Sequence, residues 1–261
     1  MASVDTTEPF VRTDTDVLVV TIATAADGTA LAGDALVPAA TAVRELDPGI
    51  GAILLRGTGA NFCAGGNVRD FAAAADRSGY LDDLAGRLHR LVLALRAAPV
   101  PVVAGVQGWA AGAGMSLVCG ADIAIGGPST RLRPAYPGIG LTPDGGMSWL
   151  LPRIVGASRA RNILLTDATI PATDAVRLGL LSRLVDDTEI AGTAAELAHT
   201  LAAGPRAAMA AIRTLLDRSA TNSLAEQLDL ERESIAAAAA GPTGREGVDA
   251  FVAKRRPQWP R

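Results

Sequence analysis

Short apolar blocks alternate with amphipathic stretches through the first two thirds of the chain, and amphipathic stretches alone fill the rest. "DVLVVTIA" (16–23) and "GAILLRG" (51–57) are continuous apolar runs of strand length, so both are expected as strands. Between them, "LAGDALVPAATAVRELD" (31–47) reads mostly as a helix. "YLDDLAGRLHRLVLALRAA" (80–98) carries leucines at helical spacing and stops before Pro99. "PVVAGVQG" predicts a short buried strand, "GAGMSLVCGAD" a helix leaving it, and "IAIG" one more strand. From residue 145 the pattern predicts helices over 145–155, 159–165, 173–178 and 189–203, with the short strand "SRLV" among them. The stretches "PRAAMAAIRTLLDRSA", "SLAEQLDLERESIAAAAA" and "TGREGVDAFVAKRR" form the tail. Strand–helix alternation followed by helices alone implies an α/β core over residues 1–204 and a helical appendage over 205–261, with Pro205 at the junction.

Composition narrows this picture. Apolar residues make up 49% of the 261 positions but aromatics only 3%, so the core has to be built from Ala, Val, Leu and Ile. A formal net charge of -3 leaves no electrostatic footprint for nucleic acid, and Lys254 is the sole lysine. Cys63 and Cys119 match no metal-ligand spacing and no disulfide framework, which points to reduced thiols and a cytoplasmic location. The opening "MASVDTTEPF" lacks the apolar stretch of a secretory signal, and no run approaches the ~18 apolar residues of a membrane span.

Candidate chemistry concentrates in three glycine-containing turns. "CAGGN" (63–67) and "GWAAGAGMS" (108–116) can present backbone N–H groups to a ligand; the second opens a helix near Gly112, placing the Ala113 N–H at a positive helix end. Paired with an N–H near Gly66, it could hold an oxyanion, although each turn taken singly reads first as an ordinary strand–helix junction. In "YPGIGLTPDGG" (136–146), Asp144 precedes the apolar run "MSWLLPRIV", and its local reading is a helix N-cap. Cys63 lies beside the first turn with no activating base near it in sequence, which favours packing. His89 on the leucine-rich helix and His199 on a late helix read locally as structural.

"NFCAGGNVRDF", "PVVAGVQGWAAGAGMSLVCGADIAIG", "YPGIGLTPDGGMSWLLPRIVG" and "TGREGVDAFVAKRRP", in this order, resemble the signatures of the enoyl-CoA hydratase/isomerase (crotonase) family over about residues 17–257. The resemblance implies a spiral of β-β-α units with a helical C-terminal trimerisation region, often a dimer of trimers. It implies an acyl-CoA thioester as substrate, with coenzyme A arriving as part of it and no separate cofactor. Gly66 and Ala113 would donate the two oxyanion-hole N–H groups. Cys63, Ala64 and Gly65 beside them, with Arg69 and Lys254, would meet the CoA moiety.

The two glutamates of the family's hydratases are missing: Ser116 and Tyr136 stand in their places. A serine hydroxyl is too weak a base to replace a carboxylate without an activator. The stretch around Asp144 is similar to the branch of 1,2-epoxyphenylacetyl-CoA isomerase, where an Asp at this position shuttles a proton, so isomerisation is expected with Asp144 as the acid. The spacing of His89, Tyr136 and Asp144 also resembles 4-chlorobenzoyl-CoA dehalogenase, which would give His89 a water-activating role. Three other outcomes stay open: a hydratase with another water-activating arrangement, an aryl-CoA dehalogenase or hydrolase, and an acyl-CoA binding module without chemistry.

Overall fold

In the computed structural model, which describes residues 10–260, strand β1 (Val11–Asp14) turns back on β2 (Val17–Ala23). Helix α1 (Leu36–Arg44), strand β3 (Ala52–Gly57), the short α2 (Val68–Ala73) and the long α3 (Arg77–Ala97) follow. Next come β4 (Val102–Val106), β5 (Trp109–Ala111), α4 (Ala113–Gly120), β6 (Ile123–Gly126) and β7 (Arg131–Arg133). Then come α5 (Met147–Val155), α6 (Ala157–Thr166), β8 (Ile170–Pro171), α7 (Ala172–Arg177) and β9 (Arg183–Leu184). Helices α8 (Ile190–Ala202), α9 (Arg206–Ser219), α10 (Leu224–Ala240) and α11 (Pro242–Val252) complete the described chain.

The apolar runs become the centre of a six-stranded sheet in the order β1-β2-β3-β4-β6-β9, parallel from β2 onward. Strands covered on both faces are built almost wholly of apolar side chains, and β2 and β4 are buried throughout, with Thr21 the one polar side chain among them. Alternate residues divide between the two faces. Leu18, Val20, Ile53, Leu55, Val102 and Ala104 join the larger core, which also takes in α1, α3 and α4. Val17, Val19, Ala52, Leu54 and Val103 face the other way onto Ala194, Ala198 and Ala202 of α8. The alanine stripe lets α8 lie close to the sheet, and a Cβ added at Gly105 would come within 3.1 Å of the Ala194 Cβ. An alanine-rich, aromatic-poor sequence thus packs by close approach of backbones.

A second, three-stranded sheet in the order β5-β7-β8 lies beside the first. The chain passes repeatedly from first sheet to second sheet to helix: β4 to β5 to α4, then β6 to β7 and on to α5. The β3 segment makes the same move, with Cys63 bridging Ala110 ahead of α2. This is the expected β-β-α repeat. The strands β1, β5, β7 and β8 have two to four residues each and carry no apolar run that would announce them. The helix expected over 80–98 starts earlier, at Arg77, and the separate short α2 precedes it. The chain breaks after α2, and Asp76 caps α3 by accepting from the Gly79 N–H at 3.0 Å.

Helices α9 to α11 follow the sheet region. Arg213 of α9 pairs with Asp122 and donates to the Leu95 carbonyl at 2.9 Å, tying the appendage to the end of α3. Ser223 and Glu226 form a capping box at the start of α10. Leu216, Leu224, Leu228, Ile235, Val248, Phe251 and Val252 stay exposed along these helices. No helix of the described residues is long and apolar enough to cross a membrane.

Candidate active site

The two glycine turns meet through backbone hydrogen bonds. The Cys63 N–H donates to the Trp109 carbonyl at 3.1 Å, and the Ala111 N–H donates to the Cys63 carbonyl at 2.9 Å. A side chain at Gly114 would overlap that same carbonyl, so only glycine allows α4 to start this close to the first turn. The first turn is held from its other side by Thr29 and Leu31: the Ala64 N–H donates to the Thr29 carbonyl, and the Leu31 N–H to that of Gly65. Gly112 takes φ 53° and ψ −123° just before α4 and donates its N–H to the Arg133 carbonyl at 3.1 Å. A conformation this far into positive φ favours glycine.

This stitching leaves two donors over. Among the described residues neither the Gly66 nor the Ala113 N–H has a hydrogen-bond acceptor, and both residues line the same cavity. Ala113 is the first residue of α4, so its N–H belongs to the unpaired set at a helix start, where the backbone dipoles add positive potential. Two unpaired N–H groups on residues that line one cavity are the kind of donor pair that suits a developing negative oxygen.

Asp144 stands in the wall of this cavity, half-buried. The N-cap reading fails. Gly146, in a left-handed conformation, occupies the cap of α5, which has no side-chain cap. The Asp144 carbonyl, not its carboxylate, serves the helix start: it accepts from the Met147 N–H at 3.1 Å and from the buried Ser116 hydroxyl at 3.0 Å. The carboxylate is thereby released, and its Oδ1 accepts from the Tyr136 hydroxyl at 2.5 Å. No partner among the described residues engages Oδ2. Burial, followed by the charge and the hydrogen bond of Asp144, pushes the Tyr136 phenol above its usual range, so it remains a donor. Gly145 is required twice over, by φ 59° and because a Cβ there would come within 2.8 Å of the Ser116 Cβ.

The cavity, about 630 Å³, continues between α2, the first half of α3 and the 136–144 loop. Phe71, Tyr80, Leu81, Leu84 and Leu141 give it an apolar wall. Helix α3 does two jobs: Leu81 and Leu84 face the cavity, whereas Leu88, Leu91 and Leu95 are buried in the core.

The remaining expected site residues divide by position. Ala64 and Gly65 line the cavity with Gly66, whereas Cys63 lies wholly buried beneath them. Burial pushes its thiol up to about 11, against nucleophilic use. Arg69 is exposed on α2 and Lys254 is exposed just beyond α11; neither is part of the cavity wall. His89 is not in the wall either: its Nε2 accepts from the Gly145 N–H at 3.2 Å, bracing the Asp144 turn from α3. His199 lies far along the chain, within 3.2 Å of Asp16.

The structure adds two residues that the sequence reading passed over. Arg133 of β7 and Asp167, just after α6, face the cavity as an ion pair. Asp167 Oδ2 accepts from Arg133 Nη2 at 2.6 Å and Nε at 3.1 Å, and its Oδ1 accepts from the Ala135 N–H at 2.7 Å. No local motif marks them, because the pair joins residues 34 positions apart.

A family model described as enoyl-CoA hydratase/isomerase matches residues 17–261. The chain belongs to the enoyl-CoA hydratase/isomerase family. A relative from Escherichia coli (strain K12), named 1,2-epoxyphenylacetyl-CoA isomerase, is 40% identical over 219 residues, which cover 82% of this chain and 83% of the relative. Among solved structures, an enoyl-CoA hydratase from Polaromonas sp. JS666 superposes with a TM-score of 0.89 at 30% identity, covering 96% of this chain and 98% of that one. An enoyl-CoA hydratase of Mycobacterium smegmatis gives 0.83 at 29% identity, covering 97% and 99%. Members of this family act on acyl-CoA substrates, and the β-β-α spiral described above is the crotonase fold.

Proposed function

We propose that this member of the enoyl-CoA hydratase/isomerase family moves a carbon–carbon double bond in an enoyl-CoA, with Asp144 carrying the proton. The observation that carries this reading is a carboxylate with one oxygen held by Tyr136 and the other unengaged, in the same cavity as two unpaired N–H groups. The thioester carbonyl oxygen would sit between the Gly66 and Ala113 N–H groups. Asp144 then removes a proton from the carbon next to the carbonyl, the C–H electron pair enters the conjugated system, and negative charge collects on the thioester oxygen. Asp144, now protonated, returns the proton to the far carbon of the allylic system, and the double bond moves into conjugation. One carboxylate suffices because one proton leaves and one returns.

Hydration needs a second group to activate water, and the cavity wall offers Tyr136, protonated and committed to Asp144, where a second carboxylate would stand. The buried Ser116 hydroxyl is committed to the Asp144 carbonyl. The apolar wall of Phe71, Leu81 and Leu84 suits the acyl chain, and the exposed Arg69 and Lys254 are candidates for the CoA phosphates. The exposed apolar residues on α9 to α11 support assembly as a homotrimer or a dimer of trimers.

The experiment is a panel of purified protein with 3-enoyl-CoA, 2-enoyl-CoA and 4-chlorobenzoyl-CoA. Turnover of 3-enoyl-CoA to the conjugated isomer is expected, with little hydration and no chloride release. Dominant hydration or chloride release would overturn the reading, and absence of any turnover would favour a binding module.

A further inference from the structure

Two backbone anomalies are in contact beside Tyr136, one in the loop that carries it and one at the end of α6. Ala135 has φ 59° and Asp167 has φ 52°, both in the left-handed region that disfavours residues with a side chain. They are joined by one short bond, the Ala135 N–H donating to Asp167 Oδ1 at 2.7 Å. Asp167 is almost fully sheltered, with its side chain 11% exposed, and its other oxygen is fixed by the Arg133 guanidinium. The 3-10 turn at Pro137–Ile139 lies over the carboxylate: a Cβ at Gly138 would come within 3.2 Å of Asp167 Oδ2. Tyr136 immediately follows the strained Ala135, and its carbonyl accepts from the Ile139 and Leu141 N–H groups. A change of backbone conformation at Ala135 would therefore turn the residue that follows it, Tyr136, relative to this downstream anchor.

We infer that Asp167 is a positioning residue: by holding Ala135 in its left-handed conformation it aims the Tyr136 hydroxyl at Asp144. The inference rests on the proposed isomerase reading for its effect on rate, but not for its effect on Tyr136. An anchor of this kind acts through geometry, and a misplacement of about 1 Å at a reacting group can lower a rate about 100-fold. Substrate binding, which depends on the rest of the cavity, is left nearly intact.

Three variants separate positioning from stability. Asp167→Gly removes the carboxylate and at the same time relieves the left-handed strain at residue 167 itself. Asp167→Asn keeps an acceptor for the Ala135 N–H and tolerates the left-handed backbone. Ala135→Gly removes the strain that the anchor opposes. Expected are a fall in kcat of about 10- to 100-fold for D167G with KM within about threefold. D167N should stay close to the native kcat, and A135G/D167G should recover most of the loss.

A second readout is independent of activity. The chain has two tyrosines, so the Cζ resonance of Tyr136 in protein labelled with ring-carbon tyrosine is assigned by Tyr80→Phe. It should move in D167G, stay in place in D167N and return in the double variant. A native kcat together with an unmoved Tyr136 resonance in D167G would overturn the inference. So would failure of both D167G and A135G/D167G to fold, because Asp167 would then serve stability alone. If the native protein moves no double bond, the isomerase reading fails, and the Tyr136 resonance alone decides the anchor.

Discussion

Replacing Ala113 by proline would remove one of the two N–H groups proposed to hold the oxyanion, with little disturbance of the fold. Ala113 is the first residue of α4, a position where proline is favoured because its N–H is unpaired within the helix in any case. The N–H lost here has no protein acceptor among the described residues, so no internal hydrogen bond is broken. Thermal stability should accordingly stay close to native. Catalysis should not. One preorganised donor to a developing oxyanion contributes about 2.7–4 kcal/mol, so kcat/KM should fall by about 10²–10³. Ala113→Gly, which keeps the N–H, controls for the change of side chain and should retain activity. The assay is the steady-state rate of conversion of 3-enoyl-CoA to the conjugated isomer, with melting temperatures measured in parallel. A native kcat/KM in A113P would refute the placement of the oxyanion at Ala113, and an equal loss in A113G would refute the backbone N–H as its cause.

Two further outcomes follow from burial and hydrogen bonding. His89→Gln, which can still accept from the Gly145 N–H, should keep activity within about fivefold, the scale of one hydrogen bond of about 1 kcal/mol; a loss of several orders of magnitude in the same isomerisation assay would place His89 in the chemistry. The buried thiols set an alkaline limit. Burial pushes Cys63 up to about 11 and Cys119 to about 12 from the usual 9.0, so between about pH 9 and 11 the unfolded chain has lost protons that the folded chain keeps. Stability should therefore fall as pH rises through that window, with a limiting slope of about 1.4 kcal/mol per pH unit for each thiol. Urea midpoints from pH 8 to 11 should decline less steeply in C63A/C119A, and equal slopes would contradict the assignment.

What the sequence revealed follows from where its information is local. β2, β3, β4 and β6 are legible because a strand covered on both faces is built almost wholly of apolar residues, and α3 because its leucines repeat at helical spacing. β5, β7 and β8 are defined by hydrogen bonds to distant segments, and their two or three residues hold no pattern. The same division holds in the site. Gly66, Ala113 and Asp144 sit in glycine-marked turns within recognisable motifs, and the fold brings them to one cavity. The cap reading of Asp144 failed because two positive-φ glycines delay the start of α5 to Met147, turning the Asp144 carbonyl to the helix and its carboxylate to Tyr136. Asp167 had no signal at all: an acid after a helix looks like solvated surface until the fold sets it against Arg133 and Ala135.

The central claim is that Asp144 moves the proton. Its most direct test is Asp144→Asn, which preserves shape and removes the base, measured for double-bond migration of 3-enoyl-CoA in D2O with deuterium uptake into the product followed by NMR. Migration and deuterium uptake should fall together by about 10²–10⁴, the range for loss of a general base, while the fold and substrate binding persist. Migration at the native rate in D144N would contradict the claim.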